Sequence, residues 1–240
     1  MSTPTENFSL DSKSYFKNSL LDSYDENTQN AVFEMLNFMK VIIANNNEDQ
    51  FQYLIKWIAN TLQEKKNDVC LYLKGEQKIG KSTLLKFLTD YVIVNRLCLQ
   101  TDIKLLKNNF NAILGGKRLV VFEELETLSA YEWRTISSVL KSYITGKKYV
   151  LESPYKVPHE IKNINNYIIT TGCDYVRDEI KGSRRFFVLD VSNNLKNNTN
   201  YFYNLQKECF NNNVGEAFYN TMISLDIDGF VPQDLSITNP

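Results

Sequence analysis

The chain has 240 residues, 43% hydrophobic and 23% charged, with a formal net charge of −1. That length buries a full core, as one large domain or one domain plus a small helical one. The near-neutral charge excludes a wholly basic nucleic-acid coat, although a local basic strip remains compatible with it. Cys70, Cys98, Cys173 and Cys209 are scattered and form no C-x-x-C, which argues against structural zinc and a disulfide framework and fits a reducing compartment. His159 is the sole histidine, so no Cys–His or Ser–His–Asp arrangement has any force. No signal peptide and no apolar run long enough to span a membrane is recognisable.

Residues 1–12 are polar. From Ser14 to Lys66 the pattern is helical, with Ala31–Met39 and Phe51–Asn60 placing apolar residues three and four apart and Asn45-Asn46-Asn47 separating them. Thr61 to Asp68 is a polar connection into a first strand, Val69–Leu73. Strands and helices then alternate, the pattern of an α/β sheet. Leu119–Phe122, Tyr167–Thr171 and Phe186–Val191 are the further strands, and a helix is expected near residues 130–143. A hairpin is expected where Tyr149–Leu151 and Val157–Ile161 flank Ser153-Pro154-Tyr155-Lys156. Asn193 to Asn200 reads as a flexible loop, and 201–227 as one or two helices.

Between the first strand and the apolar run Thr83–Leu88 lies Gly75-Glu76-Gln77-Lys78-Ile79-Gly80-Lys81-Ser82, a complete G-x-x-x-x-G-K-[ST] phosphate loop. Strand, glycine loop and helix are the setting that gives this pattern its chemistry. The glycines let backbone N–H groups converge on a phosphate chain, and the start of the following helix adds partial positive charge. Lys81 is expected at the β- and γ-phosphates, with Ser82 on Mg²⁺ and Thr83 beside it.

Binding alone is not hydrolysis, which needs a metal-organising carboxylate and a group to orient water. The second expected strand ends in Glu123-Glu124. Glu123 is assigned to the nucleotide and the Mg²⁺ shell, and Glu124 to polarising the attacking water; a solvated acidic turn is the alternative. Arg184 and Arg185 precede the last strand, either as a solvated edge or as donors to the γ-phosphate of a neighbouring subunit, with Arg184 favoured and Arg185 second.

This ordered set resembles superfamily 3 helicases, and more narrowly the ATPase part of viral, phage and plasmid primase-helicases of the poxvirus type. Leu54–Gln63, Leu140–Gly146, Tyr155–Lys162, Arg184–Phe187 and Gly215–Phe230 extend the resemblance, which covers roughly residues 50–235. It implies an AAA+-like P-loop fold with a mostly parallel sheet: residues 1–66 as a helical segment serving assembly, and 67–235 as the ATPase core with C-terminal helices. It implies a homo-oligomeric ring, usually a hexamer, with ATP and Mg²⁺ between subunits and single-stranded DNA in the pore. By position, Lys81, Ser82, Glu123, Glu124 and Arg184 take the roles given above. A primase or polymerase domain of the same longer protein is the further implied partner. The cytoplasm or a viral replication site is the implied location.

Three positions depart from the family pattern. The acidic pair is Glu-Glu where Asp is common first. Gly172 stands where an Asn senses the γ-phosphate, leaving Thr171 or Asp174 to substitute. Ser153-Pro154 replace a hairpin-tip Lys, leaving Tyr155 to stack and Lys156 and Lys148 to meet phosphate, unless Tyr155 packs the hairpin base and Lys156 is merely solvated. Lys141, Lys147 and Lys162 lie near the same hairpin. The expected activity is ATP-driven translocation on single-stranded DNA. The alternatives are a packaging or remodelling ATPase, and a weakly hydrolysing, ATP-gated DNA-binding assembly module; a small-molecule kinase fits less well.

Overall fold

The computed structural model describes residues 20–235, leaving out 109, 124, 126–127 and 173–179. In chain order the helices are α1 (Glu26–Phe38), α2 (Glu48–Leu62), α3 (Lys81–Phe87), α4 (Ala130–Thr145), α5 (Thr199–Cys209) and α6 (Asn212–Ile223). The strands are β1 (Cys70–Lys74), β2 (Cys98–Asp102), β3 (Leu119–Glu123), β4 (Lys148–Leu151), β5 (His159–Lys162), β6 (Asn166–Thr170) and β7 (Phe186–Asp190). The chain forms two compact units, each drawn from separate stretches. A helical unit holds the residues up to Gln63, Lys78–Val94 and Val191–Phe230. A sheet unit holds Glu64–Gln77, Asn95–Asp190 and the stretch from Val231.

In the sheet unit five strands lie in the order β2-β3-β6-β1-β7, every neighbouring pair parallel. The α/β architecture with a parallel sheet and preceding helices is the one expected. β1, β3, β6 and β7 fall within a residue of the expected strands, because each is an apolar run buried on both faces, as parallel strands are. β2 was not expected. Its sequence, Cys-Leu-Gln-Thr-Asp, has neither an apolar run nor an alternation, since it is a half-exposed edge strand. On one face α4 supplies Trp133, Ile136, Leu140 and Ile144, one stripe at helical spacing, to a core shared with Tyr72 and Phe122. A capping box starts α4: the Glu132 N–H donates to Ser129 Oγ at 3.3 Å and the Ser129 N–H donates to Glu132 Oε2 at 2.8 Å.

Asparagines close the amino end of this sheet. Asn166 Oδ1 accepts from the Asn67 N–H at 2.8 Å and from its side chain at 3.1 Å, and its amide donates to Lys65 O at 3.0 Å. Asn165 donates to Leu114 O and Lys117 O at 2.8 and 2.9 Å. Asn163 donates to Tyr143 O and Gly146 O at 2.6 and 2.8 Å. Lys66 Nζ adds bonds to Tyr143 O at 3.2 Å and Asn165 O at 3.1 Å. Burial pulls its pKa down to about 8, partly opposed by Asp68.

In the helical unit, Asp25 caps α1 and Asn47 caps α2. A π-helical turn, Met39–Ile43, extends α1, and another, Leu88–Val92, extends α3. α6 packs on α1, α2 and the second of these turns. It comes so close that a Cβ on Gly215 would lie 2.1 Å from Tyr91 O. Asn193–Asn200, expected as a flexible loop, is a loop of hydrogen-bonded turns up to Asn198; α5 begins at Thr199, with Asn198 Oδ1 accepting from the Tyr201 N–H at 3.1 Å. The Asn-rich composition hid a capping residue.

Candidate functional site

All five parallel strands end on one side of the sheet. The chain leaves β1 for β2 at the far edge, returns through β3 and β6, then passes beyond β1 to β7. With right-handed crossovers, the direction reverses between β1 and β6. In open α/β sheets ligands bind outside the carboxyl ends of strands at such a switch point. The phosphate loop begins there, directly after Lys74, with Gly75 at φ 140°. Thr171 lies alongside, its N–H donating to Leu73 O at 3.2 Å. Lys74 Nζ meets Asp190 Oδ1 at 2.6 Å, tying the ends of β1 and β7.

Glu123 ends β3. β6 separates β3 from β1, so Glu123 and the root of the loop are about 9.5 Å apart, two strand spacings. The carboxylate is half-buried and has no hydrogen-bond or ion-pair partner among the described residues. Asp102 stands directly opposite it in the β2–β3 register. Sequence reading missed Asp102 because it missed β2; its Oδ1 accepts from the Lys104 N–H at 2.7 Å. Gly172 follows Thr171 and brings no side chain. Glu124, the expected water-polarising residue, lies outside the described residues, as does Asp174.

The later half of the loop belongs to the helical unit. Lys78 has φ 62° and Gly80 φ 109°. Gly80 O accepts from the Thr83 N–H at 3.0 Å and the Leu84 N–H at 3.2 Å, starting α3. Lys81 and Thr83 are buried, Ile79 fully so, while Ser82, Gln77 and Lys78 are exposed and Glu76 is half-buried.

Arg184 and Arg185 sit at the other end of the sheet. The Cys70 N–H donates to Arg185 O at 2.9 Å, so both precede strands that run five residues before reaching the loop, about 16 Å at ~3.3 Å per residue. Their chain placement therefore separates them from their own loop. Arg184 is exposed, and Arg185 Nε is buried without a hydrogen-bond partner among the described residues.

The expected hairpin is β4–β5, antiparallel, with Lys148 opposite Lys162 and Leu151 opposite His159. Asn111 roots it: its amide donates to Val150 O and Tyr143 Oη, both at 2.8 Å, and its Oδ1 accepts from the Glu152 N–H at 2.8 Å. Tyr155, at the tip with φ 61°, is fully exposed and does not pack the hairpin base; Lys156 beside it is exposed. Lys148 Nζ is engaged by Glu160 Oε2 at 2.6 Å, a bond that raises its pKa. Among the described residues no group of three or more His, Cys, Asp or Glu could hold a metal by itself, and no helix is long and apolar enough to cross a membrane.

Residues 73–185 match a protein family described as a family of unknown function, DUF5906. The matched stretch runs from the root of the phosphate loop to Arg185. A DNA primase-polymerase of Nitratiruptor phage NrS-1 is 28% identical over 173 residues, 72% of this chain and 24% of that protein. The apo structure of the NrS-1 C-terminal region superposes with a TM-score of 0.65 at 23% identity, covering 88% of this chain and 49% of that one. A further apo form of the same region gives 0.62 at 21% identity, covering 89% and 48%. This chain is similar to the C-terminal region of a phage DNA primase-polymerase. It spans about a quarter of that relative's length, and the likeness to the NrS-1 structures is one of fold.

Proposed function

We propose that this chain is the ATPase module of a DNA-replication motor, binding ATP–Mg²⁺ at Gly75–Ser82 and moving single-stranded DNA as a ring of the superfamily 3 type. The observation that carries the reading is the sheet order. It sets the start of a glycine-rich phosphate loop and the Glu123 carboxylate, which has no partner among the described residues, at the same end of the sheet, one strand apart, with the reversal of direction beside the loop. The similarity to a phage DNA primase-polymerase supports the replication setting.

The residues present fit a magnesium nucleotide. Mg²⁺ takes few protein ligands and keeps waters and phosphate oxygens; the exposed Ser82 hydroxyl in the helical unit and, taken separately, the Glu123 carboxylate at the end of β3 are each of a kind that serves it. When bound, the metal neutralises charge on the β- and γ-oxygens. Lys81 binds the γ-phosphate, and Glu124 orients the attacking water. Arg184, 16 Å or so along the strands from its own loop, serves the site of the next subunit. The exposed Tyr155 and Lys156 at the hairpin tip touch the strand by stacking and phosphate pairing.

The test is steady-state ATP hydrolysis with and without single-stranded DNA, in parallel with oligomeric mass. We expect turnover to rise with DNA, to vanish in Glu124→Gln, and to require assembly. A protein that stays monomeric with ATP and DNA would leave Arg184 without a target and end the ring reading. The second reading, a weakly hydrolysing ATP-gated DNA-binding module, is favoured by Gly172, which puts no side chain beside the loop. It predicts ATP-dependent DNA binding with DNA-insensitive turnover, and no strand displacement on a fork.

A further inference from the structure

The later half of the phosphate loop is held in a backbone that costs energy. Lys78, a non-glycine residue, has φ 62°, and Gly80 has φ 109°. A left-handed residue with a Cβ is disfavoured, so something must over-determine the turn. Contacts within the helical unit identify it. The Asn197 N–H donates to Lys78 O at 3.2 Å. A Cβ on Gly80 would lie 2.9 Å from Phe202 Cε1 and 3.0 Å from Phe38 Cε2, so these two ring edges close on the glycine backbone. The rings also support each other edge to face, with centroids 6.4 Å apart. Phe202 is placed by α5, which starts at Thr199 under the Asn198 cap.

We propose that Phe202, with Phe38 and the Asn197 backbone, is a positioning residue for the phosphate loop: the C-terminal strip Asn197–Phe202 braces Lys78–Gly80 in the conformation from which Lys81 and Ser82 face a nucleotide. The nucleotide part rests on the reading in the preceding section; the brace itself does not. The strip thus links the helical C-terminal region to nucleotide affinity without touching nucleotide. It also explains why position 80 demands glycine twice over, once for its φ and once for the two rings.

The brace has a readout that needs no nucleotide. Thr83 and Leu84 donate their N–H groups to Gly80 O, so their amide exchange reports whether Gly80 is held. In the nucleotide-free full chain we expect Phe202→Ala to speed exchange at Thr83, Leu84 and Asn197 by about tenfold or more. Phe202→Leu, which keeps bulk but not the ring edge, should give a smaller rise. Phe230→Leu is the control: it removes the aromatic contact with Tyr53 in the same unit, centroids 5.5 Å apart, and should lower the melting temperature without changing those three amides. Equal exchange in Phe202→Ala and wild type, or the same acceleration in Phe230→Leu, overturns the brace. In a second arm, binding of a non-hydrolysable ATP analogue should weaken about tenfold in Phe202→Leu and stay within twofold in Phe230→Leu. Unchanged affinity in Phe202→Leu despite faster exchange overturns the positioning role. A wild-type chain that binds no nucleotide overturns the nucleotide reading instead, and the exchange comparison still decides the brace.

Discussion

The two ends of the parallel sheet differ in how far their side chains are tied to the backbone. At the amino end Asn163, Asn165 and Asn166 spend their side-chain amides on backbone carbonyls, and even Lys66 is bonded to two carbonyls. At the carboxyl end Glu123 is half-buried with no described partner, and the loop after β1 starts on a left-handed glycine. Buried polar groups are normally satisfied because leaving them bare is costly. The asparagine network makes the amino end a clamp, although Arg185 Nε there is buried without a hydrogen-bond partner among the described residues; at the carboxyl end Lys74 and Asp190 pair and Glu123 stands apart from them. The contrast can be broken by exchanging the kinds of effect that substitutions produce at each end.

The largest effect expected is functional. Glu123→Gln keeps shape and removes charge where no described residue bonds to the carboxylate. It should lower ATP turnover by roughly 100-fold or more, the scale of losing one preorganised electrostatic group, while the thermal midpoint stays within about a degree. Turnover assays and calorimetry on one preparation check both. A large fall in midpoint with turnover retained would make Glu123 a structural residue and erase the contrast.

The mirror-image experiment is Asn166→Leu, of similar size but unable to bond. It removes the bonds that Asn166 makes with the Asn67 N–H, the Asn67 amide and Lys65 O. Each buried group left bare costs about 1–3 kcal/mol, so urea denaturation should show a loss of about 3 kcal/mol, allowing for partial relief by water. A loss below about 1 kcal/mol would mean that the clamp is cosmetic.

Lys66 tests the same end through pH. Its folded pKa, about 8, lies below the ordinary lysine value. Between pH 8 and the ordinary value near ~10.4 the unfolded chain binds the extra proton, so this lysine makes stability rise with pH across that window. Burial of Cys70 and Tyr149 acts in the opposite sense, because their raised pKa values make the unfolded chain lose protons first. The measurement is therefore a difference: wild type minus Lys66→Met, by urea unfolding at pH 7 and pH 10. The difference should shift toward wild type by roughly 2–3 kcal/mol over that range. A flat difference would show that Lys66 is charged at no cost, hence well hydrated rather than clamped.

What the sequence made legible follows from the same division. The apolar strands and the glycine loop announce themselves, since burial on both faces and left-handed turns each demand particular residue types. Glu123 is expected at the end of such a strand, and it does end β3. Asp102 was not, because edge strand β2 is half-exposed and carries no pattern. The clamp asparagines were present in plain sight as Asn163, Asn165 and Asn166, but asparagine serves turns, caps and interiors alike. Only long-range pairing, 99 positions for Asn67 with Asn166, tells which. The same ambiguity hid the helix cap at Asn198 within the Asn193–Asn200 loop. Phe202 as a brace was illegible for a further reason: its partner Gly80 is in another stretch of chain.

The smallest effect concerns the hairpin rooted at the amino end, where the Asn163 N–H donates to Lys147 O at 2.9 Å. Lys148 was read from sequence as a phosphate contact, yet Glu160 holds it, and Lys162 faces it across the strands. Exposed ion pairs add little to stability, and like charges directly opposite work against pairing. Lys148→Ala should therefore leave the unfolding midpoint unmoved. Binding of single-stranded DNA separates the remaining possibilities by sign. If Glu160 keeps Lys148 from phosphate, Glu160→Gln should raise affinity severalfold at low salt and steepen the salt dependence, while Lys148→Ala changes little. If Lys148 already meets the strand, Lys148→Ala should weaken binding and reduce the salt slope by about one. Titrations at several salt concentrations decide between them, because a released lysine adds a phosphate contact whereas a lost one removes it.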